Sequence, residues 1–419
     1  MEKNYIRIML NVVSFLTMKV GVLPMSGCPT EEKTKNLVPK GLLFGFFCLN
    51  LQQDFRNLNL GTMNICIVAG ARPNFIKVAP IVRAIDNAKA HGRDIDYTLV
   101  YAGAKDDPSL EASLFDDLQI APPQVFLGVV CENLNELTGQ VMSAFERYLQ
   151  ENKTDVVIVV DDLASTMAAA IVTKKQGIRL AHLVAGTRSF DIKMPKEINR
   201  LVIDGLSDLL FTAGMGANSI ATREGAELSK IYTVGNILMD TLRFNRNKTV
   251  PPAPPFSAER DYLVFTLNRK ALLADEENLD RMLKAIVENA QGMPVYAPLR
   301  SQAREAVEKH LGDGFIFLPP LSYLEFGWLT AHAHGIITDS GNVAEEATFN
   351  GVPCITLNSY TEHIETVKVG TNELVGEDPQ LLGEMVGKMV RGEWKQGALP
   401  DRWDGRTAER IVQILMEQQ

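Results

Sequence analysis

Two loops of this sequence hold residue types suited to gripping an anion. The first is Gly70-Ala71-Arg72-Pro73-Asn74-Phe75-Ile76-Lys77. Gly70 permits a tight turn. Arg72 and Lys77 set two cations at the start of a predicted helix, whose dipole also favours negative charge. A phosphate is the natural guest. The second loop is Thr338-Asp339-Ser340-Gly341-Asn342-Val343-Ala344-Glu345-Glu346-Ala347. Ser340 and the amides of Gly341 and Asn342 can cradle a phosphate. Glu346 falls about one helical turn further in, where a carboxylate can accept two ribose hydroxyls. The loop also reads as a plain helix start, capped by Asp339 or Ser340, with acidic residues countering the dipole. One segment can do both.

The elements that must position these loops alternate. Asn64–Gly70 is a short apolar run ending in glycine, a buried parallel strand by its shape. A helix over Phe75–Asn87 follows, then a strand at Tyr97–Ala102, helices at Leu110–Leu118 and Asn133–Glu151, and a strand at Asp155–Val160. The alternation continues through a helix at Ser165–Gln176, a strand at Leu180–Leu183, and elements at Asn199–Leu206, Leu209–Thr212 and Ala217–Glu224. Pro251, Pro252, Pro254 and Pro255 then make a stiff connector. A second β-α series runs from Tyr262 to Leu357, and a last helix is predicted over Thr407–Gln418. The pattern predicts an α/β protein of two doubly wound, Rossmann-like domains facing across a cleft, with function on the loops after the strands. The expected division is residues 63–245, a linker at 246–257, residues 258–400, and a C-terminal helix in 401–419 that packs back on the first domain.

Composition narrows the class of function. The chain has 419 residues, 46% of them hydrophobic, and a formal net charge of −9. An acidic chain of this kind is no dedicated nucleic-acid binder. Cys28, Cys48, Cys66, Cys131 and Cys354 are dispersed, with neither metal-ligand spacing nor an even disulfide framework, so a reducing compartment and no metal site are expected. The first 62 residues hold seven basic and four acidic residues, a net +3 against −12 for the rest. None of their apolar runs reaches the roughly 18–20 residues of a membrane-spanning helix. Residues 1–62 are therefore expected to lie outside the fold, as an over-long start before Met63 or a disordered extension.

The loops, taken with further stretches, resemble the non-hydrolysing bacterial UDP-N-acetylglucosamine 2-epimerases. The resemblance rests on Gly70–Pro80, Ser165-Thr166, His182–Arg200, Val234-Gly235-Asn236, Thr338–Ala347, Thr361–Gly376 and Asp404–Val412, and runs from Met63 to the C-terminus. It implies the fold of the GT-B glycosyltransferases. It also implies interconversion of UDP-GlcNAc and UDP-ManNAc through elimination of UDP and re-addition to 2-acetamidoglucal, with no nicotinamide cofactor. By the same resemblance Asp162, Lys77 and Glu197 are the catalytic candidates. Arg72, Asn268, Phe326, Ser340, Gly341, Asn342, Glu346 and His363 are the UDP-binding ones, with Arg188, Asn199 and Arg200 near the cleft. A cytoplasmic homodimer feeding surface-polysaccharide synthesis, with no nucleic acid or membrane as partner, completes the implied picture.

Several positions depart from the family's stretches. Val184 stands where the usual HVEAGLRS has a catalytic Glu, and Lys196 where PEEINR has its first Glu, Glu197 being kept. The usual GQH, tied to an allosteric UDP-GlcNAc site in some members, reads Gly103-Ala104-Lys105. Asn268 replaces the His of HRxEN, His363 the Arg of TERPE, and Asn342 and Ala344 the second Gly and the Gln of SGGxQEE. Val cannot transfer a proton, Lys reverses the local charge, and a lost acid–base group is worth on the order of 10²–10⁴ in rate. Two other readings therefore stand beside the epimerase: a UDP-sugar-binding regulatory protein without turnover, and an enzyme acting on another nucleotide sugar.

Overall fold

Val156–Val160 is five consecutive apolar residues, none with exposed surface. Branched side chains of this kind are stiff at χ1 and pack well on both faces of a covered parallel sheet. The computed structural model describes residues 61–418, apart from 260, 312 and 313. All but the last two positions of the segment 1–62 lie outside the described residues.

The first sheet has seven strands: β1 (Met63–Ala69), β2 (Ile95–Tyr101), β3 (Val125–Phe126), β4 (Val156–Val160), β5 (Arg179–Ala185), β6 (Leu209–Thr212) and β7 (Ile231–Thr233). The second has six: β8 (Leu263–Thr266), β9 (Val295–Ala297), β10 (Ile316–Phe317), β11 (Gly335–Thr338), β12 (Cys354–Thr356) and β13 (Asn372–Leu374). Their orders are β3-β2-β1-β4-β5-β6-β7 and β10-β9-β8-β11-β12-β13, and all pairs are parallel. Each sheet winds outward in both directions from a central strand. The order reverses beside β1 and β8, which opens a crevice at the carboxyl ends. The α/β architecture is the one the sequence pattern predicts. The edge strands β3, β7 and β13 are only two or three residues long, too short for a period-2 pattern to mark them.

The helices that matter below are α1 (Arg72–Ala90), α2 (Ala164–Lys175), α3 (Pro195–Leu206), α4 (Ile237–Asn245), α5 (Gly341–Asn350), α6 (Ile364–Lys368) and α7 (Thr407–Glu417). Helices α1 and α3 begin earlier than the apolar periodicity suggests. Each carries proline in its first turn, where the missing N–H is no loss and φ is already helical. On α7, Ala408, Ile411, Val412 and Leu415 are buried in the same core as Ile81 and Ile85 of α1. Asp240 on α4 caps α7, its carboxylate accepting from the Thr407 and Ala408 amides at 3.0 and 2.8 Å. Burial nevertheless pushes the Asp240 carboxyl up to about 6.

Candidate active site

The carboxyl ends of β1, β4 and β5 lie side by side, and the loops that leave them wall a cavity of about 220 Å³. Gly70 closes the first turn tightly: a Cβ there would stand 2.0 Å from Ser165 Oγ on α2, so that hydroxyl would have to move. Asn74 Oδ1 accepts from the Gly70 and Ala71 amides at 2.9 and 3.2 Å, which fixes the same turn from inside.

Asp161 follows β4 directly and takes φ 58°. Left-handed backbone is open to Asp at modest strain. That twist sends two consecutive carboxylates to different walls. Asp161 accepts from Lys77 Nζ at 2.6 Å and Asn74 Nδ2 at 2.9 Å, both on α1. Asp162 pairs with Arg200 on α3, at 2.8 Å from Nε and 2.5 Å from Nη2. Lys196 Nζ stands 3.6 Å from its other oxygen. Burial alone would raise the Asp161 carboxyl, but the Lys77 ammonium outweighs it and holds the group below its usual range. Burial likewise pulls the Lys77 ammonium down, and Asp161, with Glu345 further off, more than reverses this.

Val184, one strand over, also lines this cavity. It sits at φ 72° beside a bulge between Leu183 and Ala185, an outlier for a β-branched residue. His182 is buried, with Nδ1 2.5 Å from Asp204 Oδ1 and Nε2 3.0 Å from the Asp161 carbonyl oxygen. Both ring nitrogens are thus engaged, and the ring braces the Asp161 turn.

A second cavity, of about 400 Å³, lies at the ends of β8, β11 and β12. Asn268, Ser340 and Gly341 line it. Lys196, Glu362 and His363 line both cavities, so the two adjoin. No side chain caps α5. Asp339 turns away instead, its Oδ2 accepting from the Asn268 and Arg269 amides at 2.8 and 2.6 Å. The cap role expected of Asp339 or Ser340 is not filled, because that carboxylate is used to hold the neighbouring loop.

The two domains are tied across the cleft. Arg200 Nη2 meets Glu362 Oε1 at 2.6 Å. Asn236 Nδ2 donates to Glu345 Oε1 at 2.5 Å, and His363 Nδ1 lies 3.2 Å from the same oxygen. The Gly216 amide donates to Glu365 of α6 at 3.3 Å.

Of the residues singled out in the sequence, Lys77, Asp162, Asn342 and His363 reach the smaller cavity. Asn268, Ser340, Gly341 and again His363 reach the larger. Arg72 lines neither; burial raises the Asp117 carboxyl, and the Arg72 charge opposes that only weakly. Phe326 packs on the core of the second domain beside Trp328. Glu346, within α5, is buried, and burial and the Glu345 charge push it up to about 8. Glu197, expected among the catalytic groups, does not line the cavity. Its carboxylate accepts from the Ser189 amide and hydroxyl, the Phe190 amide and Arg200 Nη1, at 2.9 to 3.2 Å. It anchors the loop before α3, and these donors hold it low despite burial. Sequence reasoning passed over Asp161, Asn74 and Glu345. Only Asp161 had a signal, an acidic residue straight after a buried strand. Among the described residues, no group of three or more His, Cys, Asp or Glu could hold a metal ion.

A sequence profile described as UDP-N-acetylglucosamine 2-epimerase matches residues 87–416. The UDP-N-acetylglucosamine 2-epimerase of Methanocaldococcus jannaschii is 33% identical over 375 residues, covering 84% of this chain and 99% of its own. The UDP-2,3-diacetamido-2,3-dideoxy-D-glucuronate 2-epimerase of Pseudomonas aeruginosa is 31% identical over 361 residues, again covering 84% and 99%. The crystal structure of the Methanocaldococcus jannaschii UDP-GlcNAc 2-epimerase with UDP-GlcNAc and UDP superposes with a TM-score of 0.70, at 31% identity, over 85% of this chain and 100% of that one. A family profile over most of the chain and relatives matched along nearly their whole length place the protein: it belongs to the UDP-N-acetylglucosamine 2-epimerase family.

Proposed function

We propose that this protein interconverts UDP-GlcNAc and UDP-ManNAc by eliminating UDP and adding it back to 2-acetamidoglucal, acting in the cytoplasm as a homodimer that supplies surface-polysaccharide precursors. The observation that carries the reading is the pair of adjoining cavities, an acid–base chamber beside a loop with uncapped helix amides. The larger one takes the nucleotide diphosphate, with Ser340 and Gly341 at the phosphates. The smaller one takes the sugar, between Asp161 and Asp162. A carboxylate removes the C2 proton. The C2–H electrons become the C1–C2 double bond, and the C1–O electrons leave with UDP, so the step is redox-neutral. Lys196, lining both chambers, and Lys77 offset charge on the departing diphosphate. The Arg200–Glu362 contact closes the cleft and retains the glycal.

The test is C2 deuterium uptake from D₂O with UDP-GlcNAc, run beside a UDP titration followed by thermal stabilisation. Slow UDP-ManNAc formation with exchange is expected. UDP binding with no exchange over days at high protein concentration would leave the regulatory reading in its place. Lys196 favours one further substrate, because a cation at the mouth of the sugar chamber suits a uronate carboxylate. UDP-2,3-diacetamido-2,3-dideoxy-D-glucuronate in the same assay decides between the sugars.

A further inference from the structure

We infer that Asp161 and Asp162 form the acid–base pair that works on the two faces of the sugar, with Asp161 supplying the carboxylate that position 184 lacks. The inference rests on the epimerase reading above. Epimerisation at C2 through a planar glycal needs a proton taken from one face and returned to the other. Two groups on opposite walls are therefore required, and each must reach the same carbon.

The smaller cavity meets that requirement with consecutive residues. The left-handed turn at Asp161 aims its carboxylate at α1, while Asp162 faces α3. Val184 is the apolar neighbour of this turn: the Asp161 amide donates to the Leu183 carbonyl at 3.3 Å, and both side chains line the same cavity. The carboxylate thus stands one strand away from the apolar position. Three carboxylates line the chamber, and Asp161 and Asp162 are the two that leave β4 side by side, while Glu362 reaches in from the second domain and meets Arg200 across the cleft. Lys77 gives Asp161 its means of switching. The ammonium is bound to the carboxylate at 2.6 Å. A diphosphate that competes for Lys77 loosens that hold and frees the carboxylate to accept the C2 proton. The electrons of the broken C2–H bond form C1=C2, and UDP departs with those of the C1–O bond. On return, UDP attacks C1, and the acid of the opposite wall delivers a proton to C2.

The experiment uses the full chain and both epimers carrying deuterium at C2, with label washout and epimerisation followed separately by NMR. Asp161→Asn and Asp162→Asn are each expected to lose net epimerisation on the order of 10²-fold or more. Each should still wash out label from one epimer, and the two variants should retain opposite epimers, because the remaining carboxylate can remove and return a proton on its own face. A merely structural role would depress both epimers alike. Asp161→Gly, which accepts φ 58° without strain, must reproduce the Asn result. An Asp161→Asn protein within threefold of the parent rate, or one that loses washout from both epimers, overturns the assignment. So do two variants that retain the same epimer. A parent protein that washes out neither epimer overturns the epimerase reading itself.

Discussion

Arg200 of the first domain and Glu362 of the second meet at 2.6 Å across the cleft, and the same guanidinium holds Asp162 at 2.5 Å. One side chain thus holds Asp162 in the first domain and ties it to Glu362 of the second. Its own side chain is 5% exposed and that of Glu362 is 27% exposed, so the two partners differ in what their loss exposes.

Arg200→Met should destabilise the protein by about 3–5 kcal/mol, because Asp162 and Glu197 are left buried without their cation. Glu362→Gln removes the half-exposed partner and should cost no more than about 1 kcal/mol. It should open the cleft instead, raising KM for the UDP-sugar more than it lowers kcat. Urea denaturation and steady-state kinetics check the pair; equal losses of stability would refute the division of roles.

Restoring a family residue at Val184 should not restore rate. Val184→Glu sets a second carboxylate beside Asp161, and like charges in one chamber disfavour ionisation of both. The expected change in kcat is under about threefold, against the on-the-order-of 10²–10⁴ gain that a missing acid–base group would return. A large gain in the folded variant, alone or with Lys196→Glu, would show that the loss at 184 was uncompensated.

Lys196 is 61% exposed and only loosely paired, at 3.6 Å from Asp162. Its charge is therefore free to serve the diphosphate. Lys196→Ala should weaken UDP binding by roughly tenfold at low salt and by less at 0.5 M, since screening removes part of the attraction from the parent too. Calorimetric titration at two ionic strengths reads this directly.

Glu346 gives a pH signature. Its folded value is about 8 against an ordinary 4.5. A raised carboxyl favours the folded state fully below the unfolded value, and that contribution is lost as pH climbs to the folded one. Stability assigned to this group should therefore fall between pH 4.5 and about 8 and stay level above it. Glu346→Gln keeps the neutral shape and should flatten that slope, becoming the more stable protein at pH 8 and near-equal to the parent at pH 4.5. Melting curves across this range settle it. If UDP binds with its ribose on this carboxylate, as the sequence pattern suggested, UDP should release a proton near pH 7.

The sequence by itself determined the frame. Apolar runs such as Val156–Val160 and the turn glycine at Gly70 act locally, so strands, their order of alternation and the phosphate-type loops after β1 and β11 were legible from composition and spacing. So was the family, through stretches that keep their order along the chain. The edge strands β3, β7 and β13 were not, because two or three residues give a period too few positions to show. Nor was the membership of the site. Arg72 and Lys77 looked alike in the sequence, yet the phase of α1 buries Lys77 against Asp161 and turns Arg72 away. Glu197 looked catalytic beside Lys196, but successive helical residues point about 100° apart, and its oxygens close on the Ser189 loop. Asp161 and Asp162 were adjacent letters until φ 58° set them on opposite walls. Arg200 and Glu362 are separated by more than 160 positions and meet only when the two sheets face each other. Backbone hand, helix phase and cross-domain pairing are properties of the folded chain, and they decided which of the charged residues come together.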